Sequence, residues 1–195
     1  MYVGHAAIAL ALKSRAPRVA LVPLALACYG PDWIDVALMI PRPREGMASY
    51  SHSLPAVIIG ALVASGLYAL VVRRPGATML LTGWLLHWPA DVLTGRKPLI
   101  GLHQLVGLDL YHVAPFDFAI ESALVVGGCM LYWRATAQGR QHGEAQVRRF
   151  AQEDKPRRRV VVALGVALIL LQLGFDMTIA RIDGLPWRPS LANDG

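Results

Sequence analysis

Charge is what this sequence has least of for its size. Only 16% of its 195 residues are Asp, Glu, Lys or Arg, against about a quarter in soluble domains. Hydrophobic residues make up 55% and mean hydropathy is +0.43. One domain of this length could stay soluble only with a very large core, so an integral membrane protein is the simpler reading. Cysteine is nearly absent. Cys28 and Cys129 both lie in apolar runs and show no metal or redox spacing, which excludes a disulfide scaffold and a thiolate metal site. Basic residues are missing ahead of the first apolar run, and His5 interrupts it, so no cleavable signal peptide is expected. Aromatics are missing where a nucleic-acid surface would need them. Between Arg134 and Arg159 only Phe150 could stack on a base, which argues against nucleic acid. The net charge of +6 and pI near 9.7 then read as the basic flanks of membrane segments.

What is present is a series of six apolar segments: Val3–Leu12, Val19–Tyr29, Leu54–Val72, Ala77–Trp88, Phe118–Trp133 and Val160–Phe175. The third and sixth approach the ~20 residues that a spanning helix needs. The first two cover only about half a bilayer at ~1.5 Å per residue, so they read as a hairpin or as tilted, half-spanning helices. The fourth extends past Pro89, which should kink it, to about Thr94, where Gly95 could cap it. The expected fold is therefore an all-α polytopic membrane bundle of about six helical segments. Residues 1–133 form a membrane domain that carries the site. Residues 134–159 form a basic cytoplasmic linker, and 160–195 a final membrane helix with a tail.

Thirteen of the nineteen Lys and Arg fall between segments one and two, three and four, or five and six. By the positive-inside rule these loops are cytoplasmic and both termini are outside. The same assignment puts His5, Asp32, Asp35, His52, His87, Asp91, Asp117 and Glu121 at the outer ends of their segments.

These residues carry the chemistry. The stretch "TGWLLHWPADVLTG" holds His87 and Asp91 one helical turn apart, on one face, so that both can bind one ion. An Asp in a membrane helix costs roughly 2.5–3.5 kcal/mol and needs a partner. Alone, the pair could equally be a hydrogen bond that ties a helix end to a loop. "YGPDWID" places Asp32 and Asp35 one turn apart, where Asp32 could also cap a helix. "SYSHSLP" puts His52 before a long apolar helix, with Ser51 or Ser53 as a possible cap. His5, in "VGHAAIAL", has little other reason to be polar.

Clustered His and Asp without Cys suit zinc, with manganese or iron as alternatives. Three His and two or three Asp exceed what one tetrahedral ion needs, so one or two divalent ions are expected. His103, His112, Asp109, Asp117 and Glu121 form a second tier, with Asp117 and Glu121 on one helix face. Their ordinary reading is an acidic first helix turn. Gly83, one turn before His87, would let another backbone approach.

The order of these motifs resembles the membrane-bound metal-dependent hydrolase family, described as LexA-binding, inner-membrane-associated hydrolases. The resemblance covers about residues 1–118: an early G-H, then P-D-x-x-D, then S-H-S before a long helix, then H-x-x-x-D. It implies a bacterial plasma-membrane protein whose metal is held by His5, Asp32, His52, His87 and Asp91. Asp32, His87 and Asp91 are then the catalytic candidates. Met47 stands where another His is expected. A looser similarity, in ligand order only, is to zinc-dependent phospholipase C. Its later H-x-x-x-E has no counterpart here beyond the Asp117/Glu121 pair.

These readings point to hydrolysis of a phosphoester in a lipid or lipid-linked substrate, with the site facing the extracytoplasmic side. Arg42, Arg44, Arg96 and Lys97 could hold the phosphate, although contact with lipid headgroups accounts for them as well. The alternative is a non-enzymatic membrane protein with a structural metal site or an ion pathway. A third reading makes the basic linker the functional part, as a surface for anionic lipid.

Overall fold

Short central helices set the architecture, and longer ones surround them. The computed structural model describes residues 3–37, 50–72, 76–100, 104–141 and 158–183. Among these are seven α-helices: α1 (Gly4–Arg15), α2 (Leu21–Cys28), α3 (Gly30–Ala37), α4 (Leu54–Val72), α5 (Ala77–Thr94), α6 (Ala114–Gln141) and α7 (Arg158–Asp183). A two-stranded antiparallel hairpin, β1 (Lys97–Pro98) and β2 (Leu105–Val106), follows α5.

The described residues are all-α apart from this hairpin. Among them, three helices are long and apolar enough to cross a membrane: Leu54–Val72, Ala114–Thr136 and Arg159–Thr178. At ~1.5 Å per residue, the 19 residues of α4 cover about the ~30 Å of a hydrocarbon core. Their surface is inverted relative to a soluble protein. Leu70 and Val71 are 82% and 81% exposed, which suits contact with lipid tails.

α1 is the buried centre. Small Ala7 and Ala9 alternate around it with Leu10 and Leu12, all within 9% exposure. On one side Ala9 and Leu12 join Leu24, Cys28 and Leu80 of α2 and α5. On the other, Ala7 meets Val125, and Leu10 meets Tyr132 and Val161, of α6 and α7. Close approach is enforced at Gly128, where a Cβ would lie 2.5 Å from the Ala7 carbonyl oxygen. Small residues at such crossings are how membrane helices pack.

The second apolar segment ends at Tyr29, as expected, and Gly30–Ala37 forms a separate helix. Other sequence expectations are revised. α6 starts at Ala114 and runs on to Gln141, so the first eight residues of the expected linker are helical. Residues 142–157 and 184–195, with Arg42, Arg44 and His103, lie outside the described residues. As expected, α5 extends past Pro89 to Thr94, and Gly95 caps it. Gly83 faces the side chains of Cys28 and Leu12, not a backbone. Lys13, expected among the cytoplasmic basic residues, is buried in α1. Its ammonium donates to the Pro17 and Val19 carbonyls at 3.1 and 2.8 Å, completing acceptors near the helix C-terminus.

Candidate metal centre

The fold collects helix ends. His5 opens α1, Asp32 lies in the first turn of α3, and His52 closes the 3-10 turn Tyr50–His52 before α4. His87 and Asp91 lie one turn apart near the end of α5. Each local choice has a cause. Ser53 caps α4, accepting from the Ala56 N–H at 3.4 Å, which leaves Ser51 to the site. Asp32 does not cap α3 but turns toward His52.

The five side chains come together. His5 Nε2 is 3.3 Å from Asp91 Oδ1, and His87 Nε2 is 3.2 Å from Asp91 Oδ2. His52 Nε2 lies 3.1 Å from Asp32 Oδ1 and 3.5 Å from Asp91 Oδ2. The His5 and His87 rings are 4.0 Å apart between centroids, and those of His52 and His87 5.0 Å. His5 and His87 are wholly buried and Asp91 is 2% exposed. The Asp32 side chain, 41% exposed, marks the open side.

Tautomers decide what these nitrogens can do. His87 Nδ1 donates to the Cys28 carbonyl at 2.9 Å, so its Nε2 carries a lone pair. That nitrogen faces the Asp91 carboxylate at 3.2 Å, and His5 Nε2, whose tautomer no backbone partner fixes, faces it at 3.3 Å; both are buried. Lone pairs aimed at a carboxylate in a dry interior repel unless a cation lies between them. Two groups of ligand atoms, His5–His87–Asp91 and Asp32–His52–His87, each lie within 4.8 Å of one another and could hold a metal ion.

His52 is oriented from behind. Ser51 Oγ donates to Asp35 Oδ1 and lies 2.9 Å from His52 Nδ1, with Asp35 Oδ2 at 3.4 Å. A carboxylate behind a ligating imidazole fixes its orientation and raises its basicity. Burial opposes charge on His52, but the hydrogen bonds to Asp32 and Asp35 outweigh it and raise its pKa above the ordinary 6.5. Burial likewise opposes charge on Asp32, yet the His52 hydrogen bond holds its carboxyl below the usual range.

The hairpin adds a residue that sequence placed on the outer side without a partner. Lys97, on β1, puts its ammonium 2.7 Å from Asp91 Oδ2. The hairpin is held by Trp88 Nε1 donating to the Pro98 carbonyl at 3.3 Å and by the Leu54 N–H donating to Leu99 at 3.1 Å. Arg96 pairs instead with Asp109 at 3.2 Å.

The second tier divides. Asp35 belongs to the site through His52. Glu121 accepts from the Val3 and Gly4 N–H groups at 2.7 and 2.9 Å, neutralising the start of α1 and so positioning His5. Asp117 turns toward α7, where Gln172 donates to Asp117 and Asp176 at 3.1 and 2.9 Å. Gln172 and Asp176 drew no attention in the sequence, since the partner that ties them to α6, Asp117, is 55 positions from Gln172. His112 ends a 3-10 turn, and its side chain is outside the described residues.

A model of the YdjM inner membrane protein family matches residues 1–181. The chain belongs to that family. The match places it in the inner membrane and accords with the expected membrane-bound family. It says nothing of metal or of hydrolysis. No curated protein and no solved structure matches the chain.

Proposed function

We propose that the protein is a membrane-embedded, metal-dependent hydrolase of a phosphoester in a lipid or lipid-linked substrate. The observation that carries this reading is the pair of buried nitrogens, His5 Nε2 and His87 Nε2, facing Asp91. Their chemistry, imidazole and carboxylate without thiolate, suits zinc, with manganese or iron as alternatives. By the distribution of basic residues the centre faces the extracytoplasmic side.

The donor set fits one ion or two. His87 has a single available nitrogen and serves one ion. Asp91 can bridge, since Oδ1 faces His5 while Oδ2 faces His52 and His87. A divalent ion there polarises a phosphoryl oxygen and lowers the pKa of water beside it. The chain's own residues do the rest. Asp32, at the mouth, is held ionised and acts as a ligand rather than a proton acceptor. His52 is fixed by Asp35 and Ser51. Lys97, 19% exposed, neutralises Asp91 and would offer its ammonium to a phosphate oxygen entering the site.

The alternative of an ion pathway draws on one specific observation, the buried Asp117–Gln172–Asp176 cluster inside two of the spans, because intramembrane carboxylates often mark such pathways. Turnover separates the two readings. Purified protein should cleave a phosphomonoester or phosphodiester panel after loading with zinc or manganese, and chelator should stop it. Lys97→Met should lower kcat/KM on the order of 10–100-fold, consistent with loss of a charge-assisted contact worth roughly 1.5–3 kcal/mol, while metal content is kept. No turnover by any loaded form, with metal content verified, would reject the hydrolase.

A further inference from the structure

An apolar groove runs away from the centre along the outside of α4. Its volume is about 530 Å³, and it lies between α2, α4 and α5, within the ~300–1,000 Å³ usual for small-molecule sites. Two tryptophans stand at its head. Trp33 follows the site residue Asp32 directly, and Trp84 is one turn before His87 on α5. Leu67, Tyr68, Val71 and Val72 line the far end, where Leu67 and Val71 are 59% and 81% exposed. From Ala64 to Val72 the groove follows α4 for ~12 Å toward the opposite end of that helix.

Trp84 is held by the absence of side chains around it. A Cβ at Gly30 would strike its ring, and one at Gly60 would come within 2.7 Å. The indole is thus wedged between α3 and α4, yet its Nε1–H is buried without an acceptor. The groove's far wall belongs to a helix that meets lipid tails, so what reaches it from the bilayer is a lipid.

We propose that this groove holds an acyl chain of the lipid whose phosphate reaches the metal centre. The substrate class this names is a long-chain phospholipid or lipid phosphate, and it rests on the hydrolase reading above. The other apolar groove, between α6 and α7, has no counterpart to Trp33 and Trp84: none of its lining residues lies within one helical turn in sequence of the five site residues.

The test uses the full-length protein in phosphatidylcholine vesicles doped with a phosphatidic acid carrying a photoactivatable group at its chain end. Labelling should concentrate on Leu67, Tyr68, Val71 and Val72. Ala64→Trp fills the groove and should lower that labelling at least 10-fold. Leu67→Trp, at a lipid-exposed position that tolerates a large side chain, should do the same. Ile59→Trp, on α4 but outside the groove lining, should leave it unchanged. Equal labelling in the filled variants, or labelling spread evenly over the α6–α7 groove, would overturn the proposal. Labelling does not need turnover. Protein that labels in the groove but cleaves nothing supports the groove and counts against the hydrolase. Protein that cleaves water-soluble phosphoesters without groove labelling overturns the groove alone.

Discussion

Replacing Asp91 by Asn should strip the centre of metal and lower kcat/KM for a phosphoester by more than 100-fold. The amide keeps the size of the carboxylate and one acceptor oxygen but loses the charge. Asp91 faces His5, His52 and His87 at 3.2–3.5 Å and Lys97 at 2.7 Å, so every cation in the site feels that loss. Substitutions of residues that merely orient ligands already cost ~10–100-fold in affinity or activity, and a direct ligand should cost more. The protein itself should still insert, because a buried charge has been removed rather than added. Metal content by elemental analysis, set beside turnover, checks this. Wild-type metal content in Asp91→Asn would remove Asp91 from the ligand set.

The parts of this centre legible in the sequence are those set by local periodicity. His87 and Asp91 share a helix face by spacing alone, and His5, Asp32 and His52 stand out because apolar runs make any polar residue conspicuous. What the spacing does not carry is tertiary. The Cys28 carbonyl that fixes the His87 tautomer is a backbone atom 59 positions away. The hairpin that delivers Lys97 has strands of only two residues, too short for an alternating pattern. Glu121 reads locally as an acid in an early helix turn, yet it serves the N-terminus of another helix, α1. The break at Tyr29 that makes α3 separate was visible as Gly30-Pro31, but its direction depends on Trp84 filling the space beside Gly30. Two of the three spans, Leu54–Val72 and Arg159–Thr178, followed from length and apolarity, whereas Ala114–Thr136 extends beyond its apolar segment Phe118–Trp133 at both ends. The short, buried α1 and α2 owe their helicity to packing inside the bundle, which no run length reveals.

Removing the metal should lower the melting temperature of the wild-type protein by roughly 8–16 °C. An ion present at ~1,000 times its Kd stabilises the folded state by ~4 kcal/mol, and ~1 kcal/mol moves the midpoint of a chain this long by ~2–4 °C. The size of the drop should depend on pH, with a sign set by His52. Its pKa is raised in the metal-free protein, so its pairing with Asp32 and Asp35 adds stability that is fully present below about 6.5. That stability is lost as pH rises through the raised value. Metal ions meanwhile compete with protons for the same imidazole, so metal affinity rises with pH. Both effects act in one direction: the metal-free protein is helped by acid, and the loaded protein by alkali. The chelator-induced drop should therefore be larger near about pH 8 than near about pH 6, and Asp91→Asn should show little drop at either. Melting curves by tryptophan fluorescence, with and without chelator at both pH values, measure it. A drop of the same size in Asp91→Asn as in wild type, or none in a wild type shown to carry metal, would mean that the ion is not held by these five side chains.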